Sequence, residues 1–163
     1  MKYLKYLFLV CYIFITFVIF IKAFEDGETS AASSDQVTDI VVDMIDGITP
    51  GDESITDKFD IEDIKLFIRK AVGHFGLFLV LGVFAVATYY LFIKNRLLSL
   101  IISIIVGFVT AGLSEIVQGI PADRAPTFTD VLIDYAGYMI AVLLFSLIFY
   151  LPYYIKRRKV GSM

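Results

Sequence analysis

The chain has 163 residues, of which 58% are hydrophobic, and its mean hydropathy is +0.80. A soluble domain of this size has roughly half of its residues apolar, and here the excess lies in four long runs. These runs lack the alternating pattern of membrane β-strands, and a net charge of −3 gives no reason to expect a nucleic-acid partner. The sequence therefore predicts an all-α integral membrane protein with four transmembrane helices and one outer insertion.

Each apolar run is long enough to cross a hydrocarbon core of about 30 Å, which takes about 20 helical residues. We place the four helices near Tyr3–Ala23, Phe75–Ile93, Leu97–Val117 and Val131–Ile155.

The first run has an alternative interpretation as a cleaved signal peptide, because basic residues precede it. No small-x-small cleavage pattern occurs before Lys22, which favours a retained helix. Its single cysteine, Cys11, offers neither a disulfide framework nor a metal site. Val10 stands where a lipoprotein signal has a small residue, so lipidation of Cys11 is not expected.

The charges are distributed unevenly along the chain. Thirteen acidic residues and one lysine, Lys58, lie between Glu25 and Ile64. Basic residues flank the helices elsewhere, at Lys2, Lys5, Lys94, Arg96 and Lys156–Lys159. Because lysine and arginine are enriched in cytoplasmic loops, we expect both termini in the cytoplasm. The acidic segment and the Gly119–Thr129 loop would then face outward, although Lys65, Arg69 and Lys70 run against this rule.

The insertion begins with the small polar stretch "EDGETSAASS", which is typical of a flexible linker. The following stretch predicts an amphipathic helix that begins near Asp35 and is ended by Gly47 and Pro50. Its apolar face comprises Val37, Ile40, Val41, Met44, Ile45 and Ile48. We expect this face to pack on the outer ends of the membrane helices rather than to bind a partner.

A second insertion helix is predicted to start after Asp60 and to run into the second membrane helix near Gly73 and Gly76. The predicted organisation is a first transmembrane helix over 1–24, an acidic outer segment with amphipathic helices over 25–70, and a three-helix membrane core with a basic tail over 71–163.

Polar residues that are unusual at membrane depth all fall on the outer side of this topology. They are His74, Glu115, Gln118, Arg124, Asp130 and Asp134. Glu115 and Gln118 are three residues apart and Asp130 and Asp134 are four apart, so each pair shares one helix face. Small residues, Gly137 and Ala141, continue the Asp134 face and would let another helix approach closely. The pattern predicts one outward polar pocket.

Each of these residues also has a purely structural interpretation. Glu115 could pair with Arg124, Asp130 could cap a helix N-terminus, and Asp123 with Arg124 could be loop surface. Asp134 is the hardest to explain in this way, because it lies one turn inside an apolar helix. One histidine with dispersed carboxylates is a weak metal signature, so we predict no metal and no cofactor. His74 beside Glu115 could act as a general base, with Arg124 holding a phosphate.

At these residues the chain resembles the VanZ-like family of small bacterial membrane proteins. The shared features are His74-Phe75 opening a membrane helix with Leu81-Gly82 further on, Glu115 with Gln118, Pro121 with Arg124, and Asp130, Asp134 and Gly137. The resemblance runs from about Arg69 to Ala141.

Two positions depart from the family pattern. Asp134 stands where the family usually has asparagine, which adds a carboxylate beside Asp130. Three residues separate Lys70 from His74 where two are expected, and one extra residue turns an α-helix by about 100°. On this ground we exclude Arg69 and Lys70 from the predicted site.

The resemblance implies a cell-envelope protein that lowers susceptibility to teicoplanin, a lipoglycopeptide, much more than to vancomycin. It implies no particular reaction. We therefore expect membrane lipids as partners, together with a lipid-linked cell-wall precursor or the lipoglycopeptide, bound or shielded by Gln118, Arg124, Asp130 and Asp134. The alternatives are an enzyme acting on a phospholipid or polyprenyl-linked substrate, with His74 and Glu115 as catalytic candidates, and an assembly protein whose polar cluster only locks helices together.

Overall fold

The computed structural model describes residues 3–48, 54–57 and 59–161, and this part of the chain is almost entirely helical. Two π-helical segments interrupt the helices, at Arg69–Gly76 and Ser146–Tyr150, and a short 3-10 turn lies at Ile55–Asp57. The α-helices are α1 (Leu4–Phe24), α2 (Gly27–Ile48), α3 (Ile61–Ile68), α4 (Leu77–Phe92), α5 (Arg96–Gln118), α6 (Phe128–Phe145) and α7 (Leu151–Gly161).

Four helices are long and apolar enough to cross a membrane, which confirms the predicted class. They are α1, the continuous helix Ile61–Phe92 formed by α3, the first π segment and α4, then α5, and the continuous helix Phe128–Lys156. The second and fourth helices begin before the predicted spans. The spans were placed by hydrophobicity, whereas the first turns of these helices contain polar and charged residues.

Close contact between α4 and α6 forms the centre of the bundle. A Cβ atom at Gly82 would lie 2.7 Å from the Tyr138 carbonyl oxygen and 2.8 Å from the Ala141 Cβ. A Cβ at Gly137 would collide with the backbone of Phe75. The prediction that Gly137 and Ala141 admit another helix is confirmed, because only small side chains allow backbones to come this near.

A face of small residues on α5 completes the core. The aromatic ring of Tyr138 occupies the place that a side chain at Gly107 would need. Near the other end of the helix, the hydroxyl groups of Ser99 and Tyr150 are 2.8 Å apart. The buried residues of this face are Ser99, Ser103, Gly107, Thr110, Ala111, Ser114 and Glu115. Only the last of them has an acidic side chain.

Helix α1 packs against α4 on one side and exposes its other side. The hydroxyl groups of Tyr12 and Tyr89 are 2.9 Å apart across this contact. Val10, Phe14 and Phe17 are 62%, 63% and 62% exposed, so they form a surface that faces lipid.

The expected linker is helical instead, and this prediction was wrong. Helix α2 begins at Gly27, and the carboxylate of Asp26 caps it by accepting from the Thr29 N–H at 2.7 Å. This hydrogen bond lowers the pKa of Asp26. The Gly27 N–H donates to the Asp123 carboxylate at 2.7 Å, and this contact fixes the first turn from outside. The composition of small polar residues gave no indication of these two hydrogen bonds, which stabilise the start of α2.

Half of the predicted apolar face of α2 is exposed, while Val37, Val41 and Ile45 are partly buried. Ile40, Met44 and Ile48 are 59%, 65% and 82% exposed, whereas Thr38 is fully buried. The buried face of α2 is therefore rotated toward its hydroxyl side chains. An ion pair between Lys65 of α3 and Asp35 of α2, with a nitrogen–oxygen distance of 3.2 Å, links the two helices. Pro50, the predicted end of the helix, lies outside the described residues.

The glycine contacts generate a matched test of packing. Gly137→Ala should lower the melting temperature of the detergent-purified protein, because the added methyl group collides with the Phe75 backbone, and overpacking costs about 1–3 kcal/mol. Gly112→Ala is the control, because its Cβ meets nothing within 4 Å. Equal melting temperatures for the two variants would show that α6 does not approach the first π segment this closely.

Candidate functional site

Residues from three elements meet at the end of the bundle where α5 finishes and α6 starts, which we call the pocket end. His74 lies in the π segment Arg69–Gly76, Glu115 in the last turn of α5, and Asp130 and Asp134 in the first turns of α6. Thr127 is the N-cap of α6, and its hydroxyl accepts from the Asp130 N–H at 3.1 Å. This cap sets the start of α6 and, with it, the face on which both aspartates lie.

A buried cluster of three side chains occupies the centre of the pocket end. The Nδ1 atom of His74 lies 3.1 Å from Asp134 Oδ1 and 3.9 Å from Glu115 Oε1. The side chains of Asp134, Glu115 and His74 are 0%, 4% and 11% exposed. The sequence predicted a convergent pocket at these residues, and the structure brings these three together.

The two carboxylates of this cluster are held by further contacts. Glu115 Oε2 accepts from the Thr127 N–H at 3.0 Å, and Ser114 Oγ lies 3.5 Å from Asp134 Oδ2. Glu115 Oε1 is buried without a hydrogen-bond partner among the described residues. One oxygen of Glu115 is thus anchored, while the other is directed at His74.

Lys70 belongs to this region, contrary to the prediction. Its Nζ lies 3.4 Å from Asp130 Oδ1, in a partly exposed ion pair. The one-residue excess between Lys70 and His74 does not turn Lys70 away, because the Arg69–Gly76 segment is π-helical. A π-helical segment takes up one additional residue while the α-helix on each side keeps its phase. Arg69, which we also excluded from the predicted site on the basis of the sequence, lines the cavity described below.

Arg124 lies beside the cluster and ties three elements together. It donates to Gln118 Oε1 at 2.6 Å and to the carbonyl oxygens of Glu25 and Lys22 at 3.2 and 3.3 Å. Gln118, rather than Glu115, is therefore the partner of Arg124. The neighbouring Asp123 holds the start of α2, so these two loop residues join α5, the end of α1 and the insertion.

A partly open cavity of about 180 Å³ lies between the end of α1, α2 and the π segment. Its polar lining includes the cationic side chains of Lys22, Arg69 and Arg124 and the acidic side chains of Glu25 and Asp134, with His74 also contributing. Its apolar lining consists of Ile19, Ala23, Val37, Ile68, Val72, Leu77 and Phe78. The cavity therefore combines an excess of cationic over acidic side chains with a hydrocarbon-like wall.

Sequence reasoning missed part of this cavity. Ser30, Ser33 and Ser34 of α2 line it, together with Lys22 and Arg69. The helical spacing of the serines with Val37 was a signal for a buried helix face, but their composition resembles that of a linker. Asp130 and Glu115, which were predicted for the pocket, are not among the lining residues of the cavity.

The fold and this polar end define a multi-pass membrane protein built from four spanning helices. The family model described as VanZ/LLP1 matches residues 8–157, nearly the whole chain. The chain belongs to the VanZ/LLP1 family. No curated protein and no solved structure matches it significantly.

The π segment can be tested by deletion. Removing Val72, which is 49% exposed, should convert the segment to α-helix and leave the flanking helices in phase. We expect this variant to remain folded and monodisperse in detergent by size-exclusion chromatography. Deleting Val83 is the control, because this residue of α4 is similarly exposed, at 43%, but lies in regular α-helix.

Deletion of Val83 should rotate the flanking turns by about 100° and disrupt the α4–α6 contact. If the two deletions are equally destructive, the π segment does not accommodate the additional residue.

Proposed function

We propose that the cavity binds the anionic head of a membrane lipid or lipid-linked molecule, and that through this binding the protein lowers susceptibility to lipoglycopeptides such as teicoplanin. The observation that carries the proposal is the lining itself, in which Lys22, Arg69 and Arg124 share one opening with an apolar wall. An amphiphile with a negatively charged head and a hydrocarbon tail matches both surfaces.

Arg69 is the residue best placed to grip the head group. It lines the cavity, it is exposed, and among the described residues it makes no ion pair. Lys22 is already paired with Glu25 at 2.8 Å, and Arg124 is engaged by Gln118 and two carbonyl oxygens. A guanidinium offers several donors in a planar fork, which suits phosphate oxygens better than a single ammonium does.

The orientation in the membrane follows from the basic residues at the opposite end of the bundle. Lys5, Lys94, Arg96 and Lys156 flank the helix ends that lie away from the cavity. Such residues favour the cytoplasmic side of a bacterial membrane. With both termini in the cytoplasm, the cavity opens toward the outer leaflet, where lipid-linked wall precursors and acylated antibiotics are found.

Susceptibility tests examine this proposal in a Gram-positive host that expresses the variants at equal membrane abundance. Wild-type protein should raise the teicoplanin concentration needed to stop growth, with a smaller effect on vancomycin. Arg69→Ala and Arg124→Ala should return it toward that of the host alone. Lys94→Ala is the control, because Lys94 lies at the opposite end. Equal protection by all variants would contradict a role for the cavity.

A direct binding test separates the cavity from the phenotype. Purified protein should bind phosphatidylglycerol more tightly than phosphatidylcholine in mixed micelles, and Arg69→Ala should weaken the phosphatidylglycerol affinity about tenfold, or about 1.4 kcal/mol. Lys94→Ala should leave this affinity unchanged. If the wild-type protein shows no preference for the anionic lipid, the binding proposal is contradicted.

An enzyme acting on the same kind of lipid is the second candidate. It is favoured by one observation: His74 lines the cavity with a carboxylate 3.1 Å from its Nδ1 atom, an arrangement suited to general base catalysis. The enzyme hypothesis requires the lipid composition of expressing cells to differ between wild type and His74→Ala. Indistinguishable lipid profiles would contradict the enzyme hypothesis and leave lipid binding as the remaining proposal.

A further inference from the structure

We propose that His74, Glu115 and Asp134 form a binding site for one divalent first-row metal ion, Mn²⁺ or Zn²⁺. The sequence predicted no metal, because one histidine with dispersed carboxylates is a weak metal signature. The proposal is independent of the anionic ligand proposed above, since it concerns the buried cluster of His74, Glu115 and Asp134 rather than the cations around the cavity's opening.

The geometry fits a single ion. One donor atom from each of the three side chains lies within 4.8 Å of the other two. Ligands at about 2.1 Å from a tetrahedral metal are about 3.4 Å apart. The His74 Nδ1 atom is 3.1 Å from Asp134 Oδ1 and 3.9 Å from Glu115 Oε1, distances on either side of that value. The donor atoms of Glu115 and Asp134 lie within 4.8 Å of each other, so ion binding would require the Glu115 side chain to move closer to the other two donors.

Glu115 gives the independent indication of a ligand. Its side chain is 4% exposed, and Oε1 has no hydrogen-bond partner among the described residues while it points toward His74. A buried carboxylate oxygen without a partner is costly. A metal ion at this position would supply the missing interaction.

The charge of the cluster leads to the same conclusion. If both buried carboxylates are ionised, they carry a charge of −2, and even a protonated His74 would leave one negative charge without compensation inside the cluster. Lys70 is engaged on the other aspartate, Asp130, at 3.4 Å. A divalent cation with a neutral imidazole balances the two carboxylates.

The surrounding contacts would orient the ligands. The Thr127 N–H holds Glu115 Oε2 at 3.0 Å, and Ser114 Oγ lies 3.5 Å from Asp134 Oδ2, so both remaining carboxylate oxygens have neighbours. Such outer contacts are typical of metal ligands and tune affinity. His74 and Asp134 also line the cavity, so the remaining coordination positions would face it.

The donor set selects the class of metal. One imidazole and two carboxylates suit Zn²⁺ and Mn²⁺ better than Cu⁺, which prefers sulfur ligands.

Metal content and binding in the purified full chain test the proposal. The protein is stripped with a chelator and titrated separately with MnCl₂ and ZnCl₂, and the bound metal is quantified by inductively coupled plasma mass spectrometry after gel filtration. One equivalent of at least one of the two ions should bind. Asp134→Asn and Glu115→Gln should each weaken that binding by at least about tenfold. Asp39→Asn and Glu28→Gln are the controls, because both are exposed acids of α2.

Asp134→Asn keeps a carbonyl oxygen for His74, so its fold is expected to survive; circular dichroism and the elution volume verify this. If neither ion binds to the wild type, the proposal is overturned. It is equally overturned if folded Asp134→Asn and Glu115→Gln bind the metal as tightly as the wild type does. Binding lost only in the α2 controls would place the ion on the acidic surface and would also refute it.

Discussion

Asp134 has an acidic side chain with no exposed surface at one end of a four-helix membrane bundle, and the arrangement of the pocket end follows from that burial. A buried carboxyl group needs a partner. His74 meets it at 3.1 Å, which requires the π segment to present that side chain to α6. Gly137, one turn further along α6, allows the approach because it has no Cβ to collide with Phe75. The polar contact and the small residue thus depend on each other.

The loop between α5 and α6 transmits this arrangement to the insertion. Thr127 caps α6 and also donates its N–H to Glu115, so the end of α5 and the start of α6 are fixed together. The adjacent residues Asp123 and Arg124 then hold the beginning of α2 and the end of α1. Residues of α2 line the cavity, and these loop contacts anchor the start of that helix. The cations around the cavity and the acidic cluster beside it are therefore held by one set of contacts and are suited to different ligands.

Much of the membrane fold could be predicted from the sequence. Hydrophobic run length identified the four spans, and the spacing of Asp130, Asp134, Gly137 and Ala141 identified the inner face of α6. Two features escaped. The phase of the helix before His74 depends on a π segment, and an α-helical wheel placed Lys70 on the wrong face. The helicity of the stretch after Asp26 depends on contacts with Asp123, a residue distant in sequence, so local composition indicated a linker.

The arrangement of the pocket end depends on the contact between His74 and Asp134. A double-mutant cycle measures the energetic coupling between these two side chains. The free energy of unfolding is determined in detergent for wild type, His74→Ala, Asp134→Asn and the double variant. Contacting residues show interaction energies of about 0.5–3 kcal/mol, and we expect at least about 1 kcal/mol for this buried pair. The two single substitutions could instead change the free energy of unfolding by amounts whose sum equals the change in the double variant within about 0.5 kcal/mol. That result would mean that these side chains do not contact each other, and the pocket end would require a different structure.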